Sequence, residues 1–161
     1  NDKFSIIMSD DNIKKHYEMA IIDIDSDIME IPKVEYTADI ELKGMYLKNY
    51  INELSLFGED LILLCNDTNI TLKTSGDGNT SVIIIKDEHL DEYSIEEDAE
   101  LRSSYNIKYI KNITNFVKLS KNIYIGVSDA YPLALIYNLD ENKDNNIKFY
   151  IAPKILDEEE Y

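Results

Sequence analysis

At 161 residues, with 44% hydrophobic and 10% aromatic content, the chain is long enough to bury one good core and too apolar to stay disordered. Its 32 acidic against 16 basic residues leave a net charge of −16, which repels nucleic acid at long range unless the few cations are sorted onto one face. No apolar run approaches the roughly 20 residues that span a bilayer, no cationic start leads into an apolar segment, and Cys65 is the single cysteine. Membrane insertion, export and an internal disulfide are therefore not expected, and a reducing compartment fits.

In chain order, Phe4–Met8 and Lys15–Ile22 read as two strands joined by the polar turn Ser9–Lys14. A lone hairpin is marginal in water, so this one is expected to belong to a larger sheet. Ile22–Tyr36 starts as an alternating strand and then loses its period. It carries Asp23, Asp25 and Asp27, and Pro32 cannot give an N–H to a sheet. The stretch reads as an extended connector with an apolar island at Met29, Ile31 and Pro32. Such an island is either a docking surface or a linker tucked onto its own domain, and the residues leave both open.

Beyond the connector, one β-α-β-β-β unit is written twice. Tyr36–Leu42 alternates, with Tyr36, Ala38, Ile40 and Leu42 on one face. A helix at about Gly44–Leu56 follows, then strands near Asp60–Asn66, Asn69–Thr74 and Ser81–Lys86. The second copy has a strand at Ala99–Tyr105, a helix at Asn106–Leu119, and strands near Asn122–Ser128, Pro132–Leu139 and Ile147–Ala152. The polar stretches Asp87–Asp98 and Asp140–Asn146 read as solvated charge. The fold class is α+β.

The helices carry a polarity of their own. On the second, Ile107, Ile110, Ile113 and Val117 share one side at helical spacing, with Lys108, Lys111, Asn115 and Lys118 opposite. On the first, Leu47, Tyr50, Ile51 and Leu54 face Lys48, Asn49, Asn52 and Ser55, and the one carboxylate, Glu53, lies at the flank. In so acidic a chain, two helix faces nearly free of acids look like a deliberate arrangement, though pattern alone also allows an ordinary solvated face.

Catalytic chemistry is not in evidence. His16 and His89 have no partner that the sequence can justify, and Cys65, in the apolar run LILLC, reads as core. Ser75–Asn79 is turn chemistry without a following helix to receive a phosphate. Asp23, Asp25 and Asp27 lack the glycine and closing glutamate of a calcium loop. No enzyme activity, metal or cofactor is expected.

An ordered set of short motifs is more specific than any one of them. Tyr17-Glu18-Met19, the Ile-Asp-Ile-Asp run at 22–25, Met29-x-Ile31-Pro32, Leu54-Ser55-x-x-Gly58, Thr74-Ser75-Gly76, Tyr109-Ile110 and Tyr131-Pro132-Leu133 occur in sequence. Tyr150-Ile151-Ala152-Pro153-Lys154-Ile155 and an acidic tail complete the set. Together they resemble the C-terminal half of proliferating cell nuclear antigen, the eukaryotic and viral type of DNA sliding clamp.

That resemblance implies a DNA-clamp domain with inner helices and outer antiparallel sheets. Residues 1–22 would be the terminal hairpin of a first clamp domain, 23–35 the interdomain connector, 36–155 the C-terminal clamp domain and 156–161 an acidic tail. It further implies a homotrimeric ring around duplex DNA, nuclear or in a viral replication compartment. Polymerase, flap nuclease, ligase and clamp loader would dock through Gln-x-x-aliphatic-x-x-aromatic-aromatic peptides. Their pocket would fall on Met29, Ile31, Pro32, Pro132, Tyr150, Ala152, Pro153 and Ile155. Lys48, Asn49, Asn52, Lys108, Lys111, Asn115 and Lys118 would face DNA, and Tyr17, Met19 and Ile21 would meet Val82, Ile83 and Ile84 of a neighbouring subunit. Asn49 and Asn52 stand where the family usually has basic residues, and Asp67 stands where it has a modifiable lysine. A monomeric viral processivity factor and a checkpoint-type heterotrimer subunit are the alternatives.

Overall fold

The computed structural model describes residues 3–22, 34–129, 131–140 and 143–155. The chain divides into two units, residues 1–33 and 34–161. In the first, β1 (Lys3–Ser9) and β2 (Lys14–Ala20) form an antiparallel hairpin in the register Ile6–Tyr17. The Asp10 carboxylate accepts the N–H groups of Asn12 and Ile13 and so organises the turn. The apolar residues Phe4, Ile6, Met8, Tyr17 and Met19 share one face, yet no residue of either strand is buried. The connector residues Asp23, Asp25, Asp27, Met29, Ile31 and Pro32 lie outside the described residues.

The second unit follows the expected double β-α-β-β-β order. It contains β3 (Ala38–Lys43), α1 (Gly44–Leu54), β4 (Asp60–Asn66), β5 (Asn69–Gly76) and β6 (Asn79–Lys86). A short strand, β7 (Glu92–Ile95), precedes the second copy: β8 (Leu101–Asn106), α2 (Ile107–Ile113), a 3-10 turn (Thr114–Lys118), β9 (Asn122–Val127), β10 (Leu133–Asn138) and β11 (Asn146–Ile151). The sheets run β11-β10-β9-β3-β7 and β6-β5-β4-β8. The first strand of each copy therefore pairs with strands of the other copy, β3 with β9 and β8 with β4. This exchange interlocks the repeats around one core, in which Ile40, Ile51, Leu54, Ile110, Ile123 and Leu135 are almost wholly enclosed. Strict alternation produces it: in β4, Leu61, Leu63 and Cys65 point in while Ile62 and Leu64 are half-buried.

Two readings from sequence need correction. The acidic stretch Asp87–Asp98 is not merely solvated charge. It holds a 3-10 turn (Asp87–His89) and β7, which closes the edge of the larger sheet against β3. Tyr93 and Ile95 pack on the core, and the Tyr93 hydroxyl donates to the Asn66 carbonyl at 2.7 Å. Asp91 N–H donates to the Glu41 carbonyl and Glu96 N–H to that of Thr37, fixing β7 at both ends. The alternation Glu92-Tyr93-Ser94-Ile95 carried this signal beneath the charge.

The second helix is also shorter than its periodicity suggests. It starts on Asn106, whose side chain accepts the Lys108 N–H at 3.0 Å. It tightens into the 3-10 turn at Thr114, a buried residue whose hydroxyl donates to the Lys111 carbonyl.

The Leu54-Ser55-x-x-Gly58 and Thr74-Ser75-Gly76 motifs meet in space. A Cβ on Gly58 would collide with the Ser75 carbonyl oxygen, and one on Gly76 would lie 2.7 Å from that of Phe57. The turn between β5 and β6 is Asp77-Gly78, with φ of 49° and 79°, the two-residue type that continues strand twist. Among the described residues, no helix is long and apolar enough to cross a membrane.

Candidate functional site

The two helices pack against each other and bury the stripes read from the sequence: Leu47, Ile51 and Leu54 from α1, and Ile107, Ile110, Ile113 and Val117 from α2 with its 3-10 extension. Lys108, Lys111, Asn115, Lys118 and Asn49 are exposed, while Lys48 and Asn52 are half-buried. Lys111 Nζ donates to Ser55 Oγ at 2.9 Å, so the polar faces of the two helices adjoin. Glu53, exposed on α1, is the one carboxylate on either helix. Exposed Met45 and Tyr46 on α1, Tyr109 on α2 and Phe116 just beyond it interleave with these polar groups, a component that the polar-face reading missed.

Of the residues implied for peptide binding, Met29, Ile31 and Pro32 lie outside the described residues. Of the rest, Pro132, Tyr150 and Ala152 are brought together by register. Leu133 pairs with Ile151, which sets Pro132 beside Ala152 and pairs Ala134 with Tyr150 at one end of the β10–β11 ladder. Pro132, Ala152, Pro153 and Ile155 are exposed and Tyr150 is half-buried. The segment after β11 is anchored on β8: Lys154 N–H donates to the Ser104 carbonyl at 2.7 Å, and its Nζ meets Asp60 Oδ2 at 2.5 Å. Tyr150 and Ala152 also line a largely apolar cleft of about 470 Å³ between β11 and α2, with Tyr109, Ile113 and Phe149. Phe116 stacks on Phe149 with ring centroids 5.3 Å apart. No local motif could announce this cleft, because its walls lie some 40 residues apart in the chain.

The residues implied for subunit contact lie on open strands. β6 is the edge of its sheet: Val82 and Ile84 are exposed and Ile83 packs inward on the core. On β2 and just past it, Tyr17, Met19 and Ile21 are all exposed.

Groups that would serve catalysis are placed otherwise. Cys65 is buried, and burial pushes its thiol up to about 12. His16 and His89 are exposed on separate units. Among the described residues no three His, Cys, Asp or Glu side chains converge as a metal site would require.

Residues 30–154 match the family model described as proliferating cell nuclear antigen, C-terminal domain. The chain is 29% identical over 141 residues to proliferating cell nuclear antigen 2 of Drosophila melanogaster, covering 88% of this chain and 54% of that protein. It is 26% identical to the probable DNA polymerase sliding clamp 2 of Paramecium bursaria Chlorella virus 1, over 100% of this chain and 63% of the viral one. The crystal structure of proliferating cellular nuclear antigen from Entamoeba histolytica superposes with a TM-score of 0.77 at 22% identity, covering 96% of this chain and 60% of that one. The chain thus spans between about half and two thirds of the length of these relatives. With the interlocked double repeat and its two packed helices, the match over residues 30–154 places the chain in the proliferating cell nuclear antigen family, as its C-terminal domain.

Proposed function

We propose that the chain is the C-terminal part of a ring-forming DNA sliding clamp, a non-catalytic processivity factor that encircles duplex DNA and tethers replication enzymes. Residues 1–22 would then be the last hairpin of a first clamp domain, 23–35 the connector, 36–155 the second clamp domain and 156–161 the tail. Subunits would join by laying β2 of one copy along β6 of the next. The observation that carries the reading is the family match over residues 30–154. Its physical support is the charge distribution: a chain of −16 presents Lys108, Lys111 and Lys118 together on one exposed surface. Topological capture needs only a lining that does not repel phosphate, whereas grip by charge needs many net contacts. That favours a ring over a monomeric processivity factor.

Partner enzymes would dock through apolar-plug peptides at Pro132, Tyr150, Ala152, Pro153 and Ile155, to which the family resemblance adds Met29, Ile31 and Pro32. A few buried anchors would carry most of the binding energy. A checkpoint-type subunit would have no need of this surface. Localisation follows the DNA: the nucleus, or the replication compartment of a virus.

The test is retention on DNA. Loaded onto nicked circular plasmid by its loader, the protein should co-elute with the circle and be released when the plasmid is linearised. Equal retention on linear and circular DNA at physiological salt would overturn the ring.

A further inference from the structure

The pairing of β2 of one copy with β6 of the next has a direction and a lock written in charge, and the lock rests on the reading of the chain as a ring subunit. In the hairpin, Asp10 N–H donates to the Ile13 carbonyl at 3.0 Å, so Asp10–Ile13 is a hydrogen-bonded pair. Alternation then gives the Lys15, Tyr17 and Met19 backbones to β1. The N–H and C=O groups of Lys14, His16, Glu18 and Ala20 are left to face away from it. On β6, the two-residue turn makes Gly76–Asn79 hydrogen-bonded, so Ser81, Ile83 and Ile85 bond to β5. The backbones of Thr80, Val82, Ile84 and Lys86 face outward. An antiparallel ladder must join these two outward sets, which also puts the apolar Tyr17–Met19 face on the same side as the core-facing Ile83 and Ile85.

Charge chooses the direction. Lys3 holds Glu18 at 2.7 Å, whereas Lys14 and Lys15 have no ion-pair partner among the described residues. At the far end of β6, the chain turns through Asp87 and Glu88, both exposed, with Lys86 reaching Glu88 only at 3.9 Å. We propose that Lys14 and Lys15 of one copy dock against Asp87 and Glu88 of the next, locking β2 antiparallel to β6 and making assembly sensitive to salt. The parallel alternative would bring Lys14 and Lys15 to the start of β6, where the turn offers Asp77 as a single carboxylate, and leave the paired Asp87 and Glu88 unneutralised.

The experiment follows self-association by sedimentation. Lys14→Glu with Lys15→Glu should weaken it about tenfold at low salt, the size expected of two rim ion pairs lost and reversed. Asp87→Lys with Glu88→Lys should do the same, and the four changes together should restore it. A mixture of the two double variants should co-assemble. The differences should fade near 1 M salt, where screening acts within about 3 Å. Because Asp87 also accepts the Glu88 N–H, the mixture is the safer arm: each component supplies the charge that the other lacks. Ile84→Pro, which removes an outward N–H, separates the strand pairing from the charge lock. If it leaves association unchanged, the β2–β6 pairing fails and the lock with it. If it abolishes association while the charge variants sediment like wild type, the lock alone is overturned.

Discussion

The hairpin β1–β2 and the strand pair β4–β5 are written in the same alphabet. Each points every second side chain to one apolar face, and each is antiparallel with a short polar turn. In β4 and β5 every second residue is buried, Leu61, Leu63 and Cys65 facing Ile70 and Leu72 in one core. In the hairpin, Phe4, Met8, Tyr17 and Met19 remain about half exposed. The contrast teaches that alternation encodes a face and not the thing that covers it. An apolar face left half exposed on a well-formed hairpin is a surface awaiting a partner.

The comparison can be broken most forcefully at the core. Leu54→Ala, deleting a side chain with 0% exposure, should cost about 2–5 kcal/mol by denaturant unfolding, since transfer and cavity terms add. Met19→Ala in the hairpin should change the stability of the dilute protein by only about 0.5 kcal/mol and act on association instead. Equal losses at both sites would erase the distinction.

Alkali gives an effect of similar size. Burial pushes Tyr137, whose hydroxyl donates to the Ile113 carbonyl at 3.1 Å, up to about 12. The folded state thus keeps a proton that the unfolded chain releases near 10. The contribution is fully present below pH 10 and is lost as pH rises through about 12, roughly 3 kcal/mol in all. Thermal melts across this window should fall steeply for wild type and less steeply for Tyr137→Phe.

Backbone contact comes next. Gly58→Ala would force a methyl group onto the Ser75 carbonyl oxygen, with the Thr74 hydroxyl about equally close. Overpacking against backbone should destabilise by about 1–3 kcal/mol, readable as a lowered denaturation midpoint. Tyr150→Ala should leave folding nearly intact and weaken a clamp-binding peptide by about 1–3 kcal/mol in calorimetry. Unchanged affinity would remove the pocket from the Tyr150 end of β11.

Much of this was legible in the chain, and the reasons are local. Asp60–Asn66 is an apolar run of strand length bounded by two polar residues, and the structure returns it with the same ends. Asp77-Gly78 announces its turn because few residue pairs accept two positive φ angles. The strand Glu92–Ile95 was hidden by seven carboxylates between Asp87 and Asp98, whose charge outweighs a four-residue alternation. The Lys111–Ser55 link and the α2–β11 cleft join residues dozens of positions apart, which periodicity cannot reach.

The smallest effect concerns the helices. Lys111→Ala should reduce the salt slope of DNA binding by about 0.9, one phosphate contact, and should free Ser55 without loss of fold. A slope that does not change would move the DNA-facing surface away from α2.

The most direct measurement is the native mass of the protein as its own cell makes it, at micromolar concentration and physiological salt. A closed ring of identical subunits predicts three times the subunit mass, with no larger open chains. A mass that stays at one subunit would contradict the sliding-clamp account at its centre.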